Sequence, residues 1–421
     1  MIRVEATHGR VAVAPPLVAL EWTSVVGVLH RGSYCRGVMA GPLVPVGGAG
    51  SNGPTGLQAP ESALLELSSS PTNPELRGSP LSARPVLALD LGGTHIRAAV
   101  VMDDGSRLAV VRGRTPIADG PAAILEACEA ALRKVRGQVG SDVQGAIVGI
   151  GISSPGPLNP WRGVVLETPN MGRNFVDVPI APEMSQRLGL PAFLERDTNV
   201  AALGEMAFGA ARDCPDFIYL TVSTGVGGAI VSEGRIFHGP DGTAGELGHT
   251  PVAMDGICTC GATGHLEGFV SGAGMSTIAR AVVADGGSPF LAARAAQKGL
   301  EAIEARDIAE GEDSGDEACR VIMERGRRAF AVACVGFVNA LNPTRIVVGG
   351  AISDAQGERL LGPARAEVAA TAFRTPRSRV QIVHAELGAD VGLAGGHPLV
   401  IARLGDPAWR GGRATPLTAN G

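Results

Sequence analysis

Short apolar runs alternate with longer amphipathic segments along this chain, beginning near residue 84. A short apolar run bounded by Gly, Pro or Asp predicts a strand, and apolar residues at helical spacing predict a helix. The elements predicted in the first half are strands at 86–91, 96–102, 108–115, 146–152 and 192–195, and helices at 121–136 and 199–211. Pro121 suits the first turn of its helix, because proline lacks an N–H group that would stay unpaired there.

The same order begins again at residue 217, about 130 residues after the first strand. The elements predicted in this half are strands at 217–222, 229–231, 345–348 and 380–384, and helices at 317–341 and 391–404. Each half therefore starts with a strand, a glycine turn and a returning strand. This repetition predicts two related α/β halves that face each other and hold a nucleotide between their glycine turns.

Composition narrows the class of protein. The 421 residues are 45% hydrophobic and 18% charged, which is typical of a core-forming chain long enough for two domains. The formal charge of -5 gives no indication of a nucleic-acid partner. No apolar run is long enough to span a membrane, and we expect no signal peptide. Seven cysteines, an odd count, suit reduced thiols and a metal in the cytoplasm better than a disulfide framework.

The first glycine turn is Asp90-Leu-Gly-Gly-Thr94, between the first two predicted strands. Gly92 and Gly93 lack the Cβ atoms that would keep a phosphate away from backbone N–H groups, and Thr94 follows them. Asp90, at the strand end, can hold a divalent cation directly or through water. No helix follows, so the turn is neither a Walker loop nor a dinucleotide-binding fingerprint. An ordinary hairpin turn is the alternative.

The second glycine turn follows the strand at 217–222. Its hydroxyl groups and glycines offer side-chain and backbone donors for a β- or γ-phosphate. The candidate phosphate residues here are Ser223, Thr224, Gly225, Gly227 and Gly228. A glycine-rich hairpin without a ligand is the alternative.

A third glycine cluster ends the strand at 345–348. Gly349 and Gly350 would let a flat base lie against the backbone, or would simply make a strand-to-helix turn.

Asp197 lies where the strand at 192–195 gives way to a helix. A carboxylate at that position can cap free N–H groups of the helix. Alternatively it is a general base that accepts the proton of a substrate hydroxyl. Phosphoryl transfer requires such a base, a metal and tight positioning of the substrates.

A cysteine- and histidine-rich loop is the most specific local signal. Cys258 and Cys260 are preceded by His249 and followed by His265, which together supply four ligands for tetrahedral Zn²⁺. A disulfide between two cysteines one residue apart would be badly strained. Two carboxylates, Glu246 and Glu267, bracket these ligands in sequence. We therefore predict a structural zinc with a functional face, with unrelated free side chains as the alternative.

Together these segments resemble the ROK family of sugar kinases, which has the actin-like ATPase fold. The resemblance covers residues 84–404. Its motifs are Asp90–Thr94, Ser154–Pro157, Glu167–Asn170, the Asp197 segment, Thr221–Gly228, Gly242–His249, the Cys/His loop and Asn342–Gly350. The family implies an α/β, two-domain, ribonuclease H-like fold with a duplicated βββαβα core and a cleft between the domains.

The resemblance also implies roles for individual residues. Asp197 would be the catalytic base acting on a sugar hydroxyl, usually the 6-hydroxyl. Residues implied to bind the sugar are Gly156, Asn170, Arg196, Asp197, Glu246, His249 and Glu267. Residues implied to hold ATP and Mg²⁺ are Asp90, Gly92, Gly93, Thr94, Ser223, Thr224, Gly225, Gly227, Gly228, Gly349 and Gly350. His249 would also be a zinc ligand, together with Cys258, Cys260 and His265.

The family pattern implies a domain organisation. Twenty of the first 80 residues are Gly or Pro, which predicts a disordered extension, or a wrongly assigned start, over residues 1–83. We then expect a small domain over 84–204, completed by a helix at about 389–404. A larger domain with the zinc loop would follow over 205–388, and a flexible tail over 405–421. Relatives are commonly dimers or tetramers, so a homo-oligomer is expected.

Two positions depart from the family pattern. Arg196 stands where the family usually has an asparagine that contacts sugar hydroxyls, and arginine is larger and charged. His265 replaces the usual last zinc-ligand cysteine, a change that zinc accepts. The interpretation is an ATP-dependent hexose kinase acting on glucose in the cytoplasm. Alternatives are an N-acetylhexosamine kinase, a fructokinase or a sugar-responsive repressor, although residues 1–80 show no helix-turn-helix pattern.

Overall fold

A computed structural model describes residues 84–168 and 171–404, together with Asp406 and Trp409. The predicted extension over 1–83, the predicted sugar residue Asn170 and nearly all of the predicted tail lie outside the described residues. The described residues belong to one compact unit of the chain.

Two five-stranded sheets with the same strand order organise this unit. The strands are β1 (Val86–Leu91), β2 (His95–Val101), β3 (Arg107–Arg114), β4 (Ile150–Ser154), β5 (Leu158–Asn159), β6 (Val164–Glu167), β7 (Val176–Val178), β8 (Ala192–Arg196), β9 (Phe217–Val222), β10 (Val226–Ser232), β11 (Arg235–Ile236), β12 (Arg345–Gly349) and β13 (Gln381–His384). The first sheet has the order β3-β2-β1-β4-β8 and the second β11-β10-β9-β12-β13. In each, three antiparallel strands are followed by two parallel ones. The predicted duplicated fold is confirmed.

Helices cover the faces of both sheets. They are α1 (Gly120–Gly137), α2 (Ser141–Ala146), α3 (Ile180–Leu188), α4 (Asp197–Phe208), α5 (Glu267–Val270), α6 (Gly272–Ala284), α7 (Pro289–Lys298), α8 (Ala305–Asp313), α9 (Glu317–Leu341), α10 (Ala351–Gln356), α11 (Glu358–Thr371), α12 (Arg374–Arg377), α13 (Val391–Ala394) and α14 (Gly396–Leu404). Helix α9 begins at a cap, because Asp316 accepts the N–H of Cys319 at 2.9 Å, and ends before Asn342, whose φ of 51° is left-handed.

Alternating side chains divide the core into layers. One face of the first sheet packs on α1 and α3, and the other face packs on α13 and α14 through Leu393 and Val400. The second sheet has α9 and α11 on one face, while Ala201 and Ala202 of α4 pack on the other. Helix α4 also contacts α14 through Leu203 and Leu399, so α4 lies against elements of both halves.

Some predicted elements are placed differently in the structure. Residues 141–146 form helix α2, and the strand expected at 146–152 is displaced to Ile150–Ser154. The last helix is interrupted, since α13 ends at Ala394 and α14 begins at Gly396. The helix expected at 199–211 begins two residues earlier, so Asp197 is its first residue. A small sheet, β5-β6-β7, and helices α5 to α8 were not predicted.

No helix within the described parts of the chain is both long and apolar enough to cross a membrane.

Candidate active site

Asp197 lies at the junction of the last strand of the first sheet and helix α4. Its side chain is exposed to two adjoining cavities, and Oδ1 accepts the N–H of Thr198 at 2.7 Å. Partial desolvation by the surrounding protein raises the pKa of Asp197 to about 6; Asp90 and Glu246 also raise it, while Thr198 and Arg196 lower it. The carboxylate is therefore a fixed proton acceptor facing open space.

The larger of these cavities has a volume of about 760 Å³. The predicted sugar-binding residues that line it are Gly156, Arg196, Asp197, Glu246, His249 and Glu267. The predicted phosphate residues that line it are Ser223, Thr224, Gly225, Gly227 and Gly228. The fold thus brings residues from both halves, separated by up to 111 positions from Gly156 to Glu267, to one cavity.

Close packing explains two of the glycines in the turn between β9 and β10. A Cβ atom on Gly225 would lie 2.8 Å from Oε2 of Glu267, and one on Gly227 would lie 2.6 Å from Cγ2 of Thr198. Glycine at position 225 therefore lets the turn approach Glu267, whereas Gly227, which lies in β10, lets that strand approach Thr198.

Asp90 lies in the smaller cavity, of about 230 Å³, together with Asp197. Nε of Arg97 donates to Oδ2 of Asp90 at 2.9 Å, and the second guanidinium N–H donates to the same oxygen at 2.5 Å. Oδ1 accepts no hydrogen bond from the described residues and lies 3.0 Å from the position that a Cβ on Gly392 would occupy. Glycine at that position leaves Oδ1 uncovered.

The other residues of the first turn lie at its tip. Gly92 donates its N–H to the carbonyl of His95 at 2.9 Å, and Thr115 Oγ1 donates to the carbonyl of Gly92 at 2.6 Å. These bonds fix the turn and occupy one of the N–H groups expected to face phosphate. Gly92, Gly93 and Thr94 do not line the cavities that contain Asp197.

A third cavity, of about 720 Å³, adjoins the 760 Å³ cavity through Ser223 and Thr224, which line both. Its walls combine apolar and polar side chains. Among them are Met275, Thr277, Arg280, Ile303, Met323, Ile352 and Gln356. The volume and mixed lining suit a nucleoside.

Gly349 and Gly350 lie beside this third cavity without lining it. A Cβ on Gly349 would lie 2.9 Å from the hydroxyl of Tyr219, and one on Gly350 would lie 2.6 Å from the carbonyl of Val222. Both glycines thus permit strand β12 and the start of α10 to pack closely on β9. The residues that follow them, Ala351 and Ile352, line the cavity.

The four predicted zinc ligands converge. The ligand atoms of His249, Cys258, Cys260 and His265 all lie within 4.8 Å of one another. A tetrahedral ion bound at about 2.0–2.3 Å from each ligand needs ligand atoms about 3.3–3.8 Å apart, so a small inward movement of these side chains would complete the site. Sγ of Cys260 is 3.3 Å from Nδ1 of His265. Two sulfur and two nitrogen donors form a set that zinc prefers.

Glu267 connects this cluster to the turn between β9 and β10. Its Oε2 accepts the N–H of Val226 at 3.0 Å, its Oε1 accepts the hydroxyl of Thr259, and Sγ of Cys258 lies 3.6 Å from Oε1. A metal in the loop would therefore hold Glu267 and the turn in one arrangement.

Sequence reasoning missed Arg97, which binds Asp90. The signal was present, because a hairpin closed by the Gly92-Gly93 turn pairs Asp90 directly with Arg97. It also missed most of the third cavity, whose lining comes from α6, α8, α9 and α10 and has no local motif.

Comparison with known proteins identifies the family. The model of the ROK family matches residues 86–403. The chain belongs to the ROK family. It is 33% identical over 323 residues to the glucokinase of Halalkalibacterium halodurans, covering 76% of this chain and 96% of that protein.

Solved structures of ROK proteins are similar to this chain in sequence and in fold. The ROK hexokinase of Thermus thermophilus is 30% identical, with a TM-score of 0.63 over 76% of this chain and 99% of that one. The ROK glucokinase of Streptomyces griseus, solved with glucose and AMPPNP, is 30% identical, with a TM-score of 0.60 over 74% and 97%. An N-acetylmannosamine kinase of Escherichia fergusonii is 31% identical over 64% of this chain and 84% of that protein.

Proposed function

We propose that this protein is an ATP-dependent kinase that phosphorylates a hexose, glucose above all, at its 6-hydroxyl. The observation that carries the proposal is the exposed carboxylate of Asp197, in a cavity that also contains Glu246, Glu267 and the turn between β9 and β10. An acceptor hydroxyl and a phosphate could both reach this carboxylate. The glucokinases among the relatives support glucose as the acceptor.

In this mechanism the sugar occupies the 760 Å³ cavity, and Glu246 and Glu267 accept hydrogen bonds from its hydroxyls. Asp197 accepts the proton of the reacting sugar hydroxyl as the hydroxyl oxygen attacks the γ-phosphorus, and the bond from that phosphorus to the bridging oxygen breaks so that ADP leaves. Ser223, Thr224 and the adjacent backbone donate to the phosphates, and the nucleoside occupies the 720 Å³ cavity. Mg²⁺ would offset the charge that develops on the phosphates. Asp90 suits it, because Asp90 lines the smaller cavity and its Oδ1 accepts no hydrogen bond from the described residues.

The proposal has a direct test. An ADP-release assay with ATP should show turnover of glucose exceeding that of fructose, N-acetylmannosamine and N-acetylglucosamine. Turnover of an N-acetylhexosamine in place of glucose would support the activity of the N-acetylmannosamine kinase relative instead. The absence of turnover with every hexose would contradict the proposal.

The pH dependence follows from Asp197. Because its pKa is raised to about 6, the base is protonated and inactive below that value and ionised above it. We therefore expect kcat/KM to rise with pH to a plateau, with a midpoint near pH 6. Steady-state assays between acidic and neutral pH measure this rise in kcat/KM. Activity that is constant down to the pKa of an ordinary aspartate would argue against Asp197 as the base.

We also propose that the Cys/His cluster binds one structural Zn²⁺. Elemental analysis of the purified protein should give one zinc per chain, and Cys258→Ser should lower that content. Since the loop includes His249 and precedes Glu267, removal of zinc should weaken sugar binding and lower the melting temperature. A metal-free preparation with unchanged melting and sugar binding would contradict this role.

We also propose that the protein is a homo-oligomer and that it is located in the cytoplasm. The cytoplasmic location is supported by the use of ATP and by cysteines that form no disulfide among the described residues, of which Cys128, Cys214, Cys258, Cys319 and Cys334 are buried.

A further inference from the structure

Arg196, one of the two departures from the family pattern, makes contacts that span the two sheets. It is the last residue of β8, in the first sheet, and it is only 5% exposed. One guanidinium N–H donates to Oε1 of Glu246 at 2.5 Å. The other terminal nitrogen donates to the carbonyls of Ala244 at 2.6 Å and Gly228 at 3.2 Å. Gly228 is in β10 of the second sheet, and Ala244 and Glu246 lie in the loop beyond β11.

Two glycines make room for this side chain. A Cβ atom on Gly245 would lie 2.8 Å from the terminal nitrogen of Arg196, and one on Gly156 would lie 3.2 Å from its Cδ. Gly245 also has a φ of +99°, which residues with a side chain rarely adopt. The loop backbone therefore closes directly on the guanidinium.

Glu246 is held by this contact yet remains available. Its side chain is 55% exposed in the cavity, and Oε2 lies 3.4 Å from Nδ1 of His249. Without Arg196, a half-exposed glutamate would sample several rotamers and would lose entropy on binding a ligand. The guanidinium fixes the carboxylate before any ligand arrives.

The charges of the residues proposed to bind the sugar indicate an uncharged sugar. Asp197, Glu246 and Glu267 contribute three carboxylates, whereas Arg196 contributes one guanidinium, and that group is already paired. An anionic sugar would meet net repulsion.

We propose that Arg196 is a positioning residue that joins the two sheets at the sugar cavity and presents Glu246 to the hydroxyls of an uncharged hexose without contacting the sugar itself. The inference rests on the proposed function. It assigns to Arg196 a role different from the direct sugar contact that the resemblance implied for this position.

Glucose binding without nucleotide, measured by calorimetry, tests the proposal together with steady-state kinetics. Arg196→Asn should raise the Kd and KM for glucose by roughly 10- to 100-fold while the KM for ATP changes little. Arg196→Lys should recover part of this loss, because lysine keeps the charge but cannot reach three acceptors. In a double-mutant cycle, Glu246→Gln should add little to Arg196→Asn. Arg212→Asn, which breaks an exposed pair with Glu386, is the matched control and should bind glucose normally.

Several outcomes would overturn the inference. If Arg196→Asn folds and binds glucose as the unaltered protein does, Arg196 does not position Glu246. If Arg196→Asn fails to fold, Arg196→Met decides, because methionine is a long side chain that donates no hydrogen bond to Glu246, and an unchanged Kd and KM for glucose would have the same meaning. Tighter binding of glucuronate than of glucose would make Arg196 a direct ligand of an anionic sugar. If the unaltered protein binds no hexose, the proposed function fails together with the inference.

Discussion

Replacing Asp197 by Asn should lower kcat by roughly 10²–10⁴-fold, because the amide cannot accept the proton of the sugar hydroxyl. The fold should persist, since Oδ1 of the asparagine can still accept the N–H of Thr198. The Kd values for glucose and ATP should change little, because the other residues proposed to bind these ligands are unaltered. A coupled assay of ADP release measures kcat, and calorimetry measures glucose binding.

Asp104→Asn is a suitable control for this substitution. Asp104 is an exposed aspartate that also accepts a backbone N–H, that of Ser106 at 2.8 Å, and it lies away from the cavities. Its replacement should leave kcat unchanged. If Asp197→Asn retained a kcat within about tenfold of the unaltered protein, a group other than Asp197 would have to accept the proton of the sugar hydroxyl.

Replacing Arg403 by Met should lower the free energy of unfolding by about 3–5 kcal/mol, because it leaves the buried carboxylate of Glu195 without its main counter-charge. Arg403 is 4% exposed, donates to Glu195 and to the carbonyl of Leu194, and lies 3.8 Å over the ring of Trp409. Glu195 has no exposed surface and retains His238 at 2.7 Å. Chemical denaturation measures the loss.

The acid dependence of stability provides a second measurement of this pair. Burial by itself raises the pKa of Glu195, but Arg403 and His238 outweigh it and lower the pKa from 4.5 to about 2. The stabilisation is therefore complete above pH 4.5 and is lost as the pH falls toward 2. Arg403→Met should reduce this dependence. Arg212→Met, at an exposed pair, should cost less than about 1 kcal/mol. An equally small loss for Arg403→Met would contradict the argument.

Much of the fold was predictable because local patterns agree with it. The helix expected at 317–341 is α9, and the strands at 86–91 and 217–222 are β1 and β9, since their apolar residues follow the period of the element they form. The displaced strand β4 shows the limit of this reasoning. Residues 146–149 continue its apolar run, yet they precede the strand, whose start is set by pairing of Ile150 with Leu87.

The candidate site, like the fold, was predictable from the sequence only in part. The Cys/His cluster was predictable from spacing, because its two cysteines and His265 lie within eight residues and only His249 is more distant. The partners of Arg196 were not predictable, because Gly228, Ala244 and Glu246 are 32 to 50 positions away. Contacts between distant segments leave no periodic signal in the sequence.

The sequence by itself determined which reactive groups this chain carries: two glycine turns, a carboxylate between strand and helix, and a set of Cys and His side chains, all encoded by residue type at short spacing. Only the tertiary structure decided how these groups meet. It showed that Asp197 opens into a cavity lined by both halves, that Arg97 neutralises Asp90, and that Arg196 binds Glu246. These pairings depend on two sheets packing around α4, a long-range arrangement that local residue patterns do not specify.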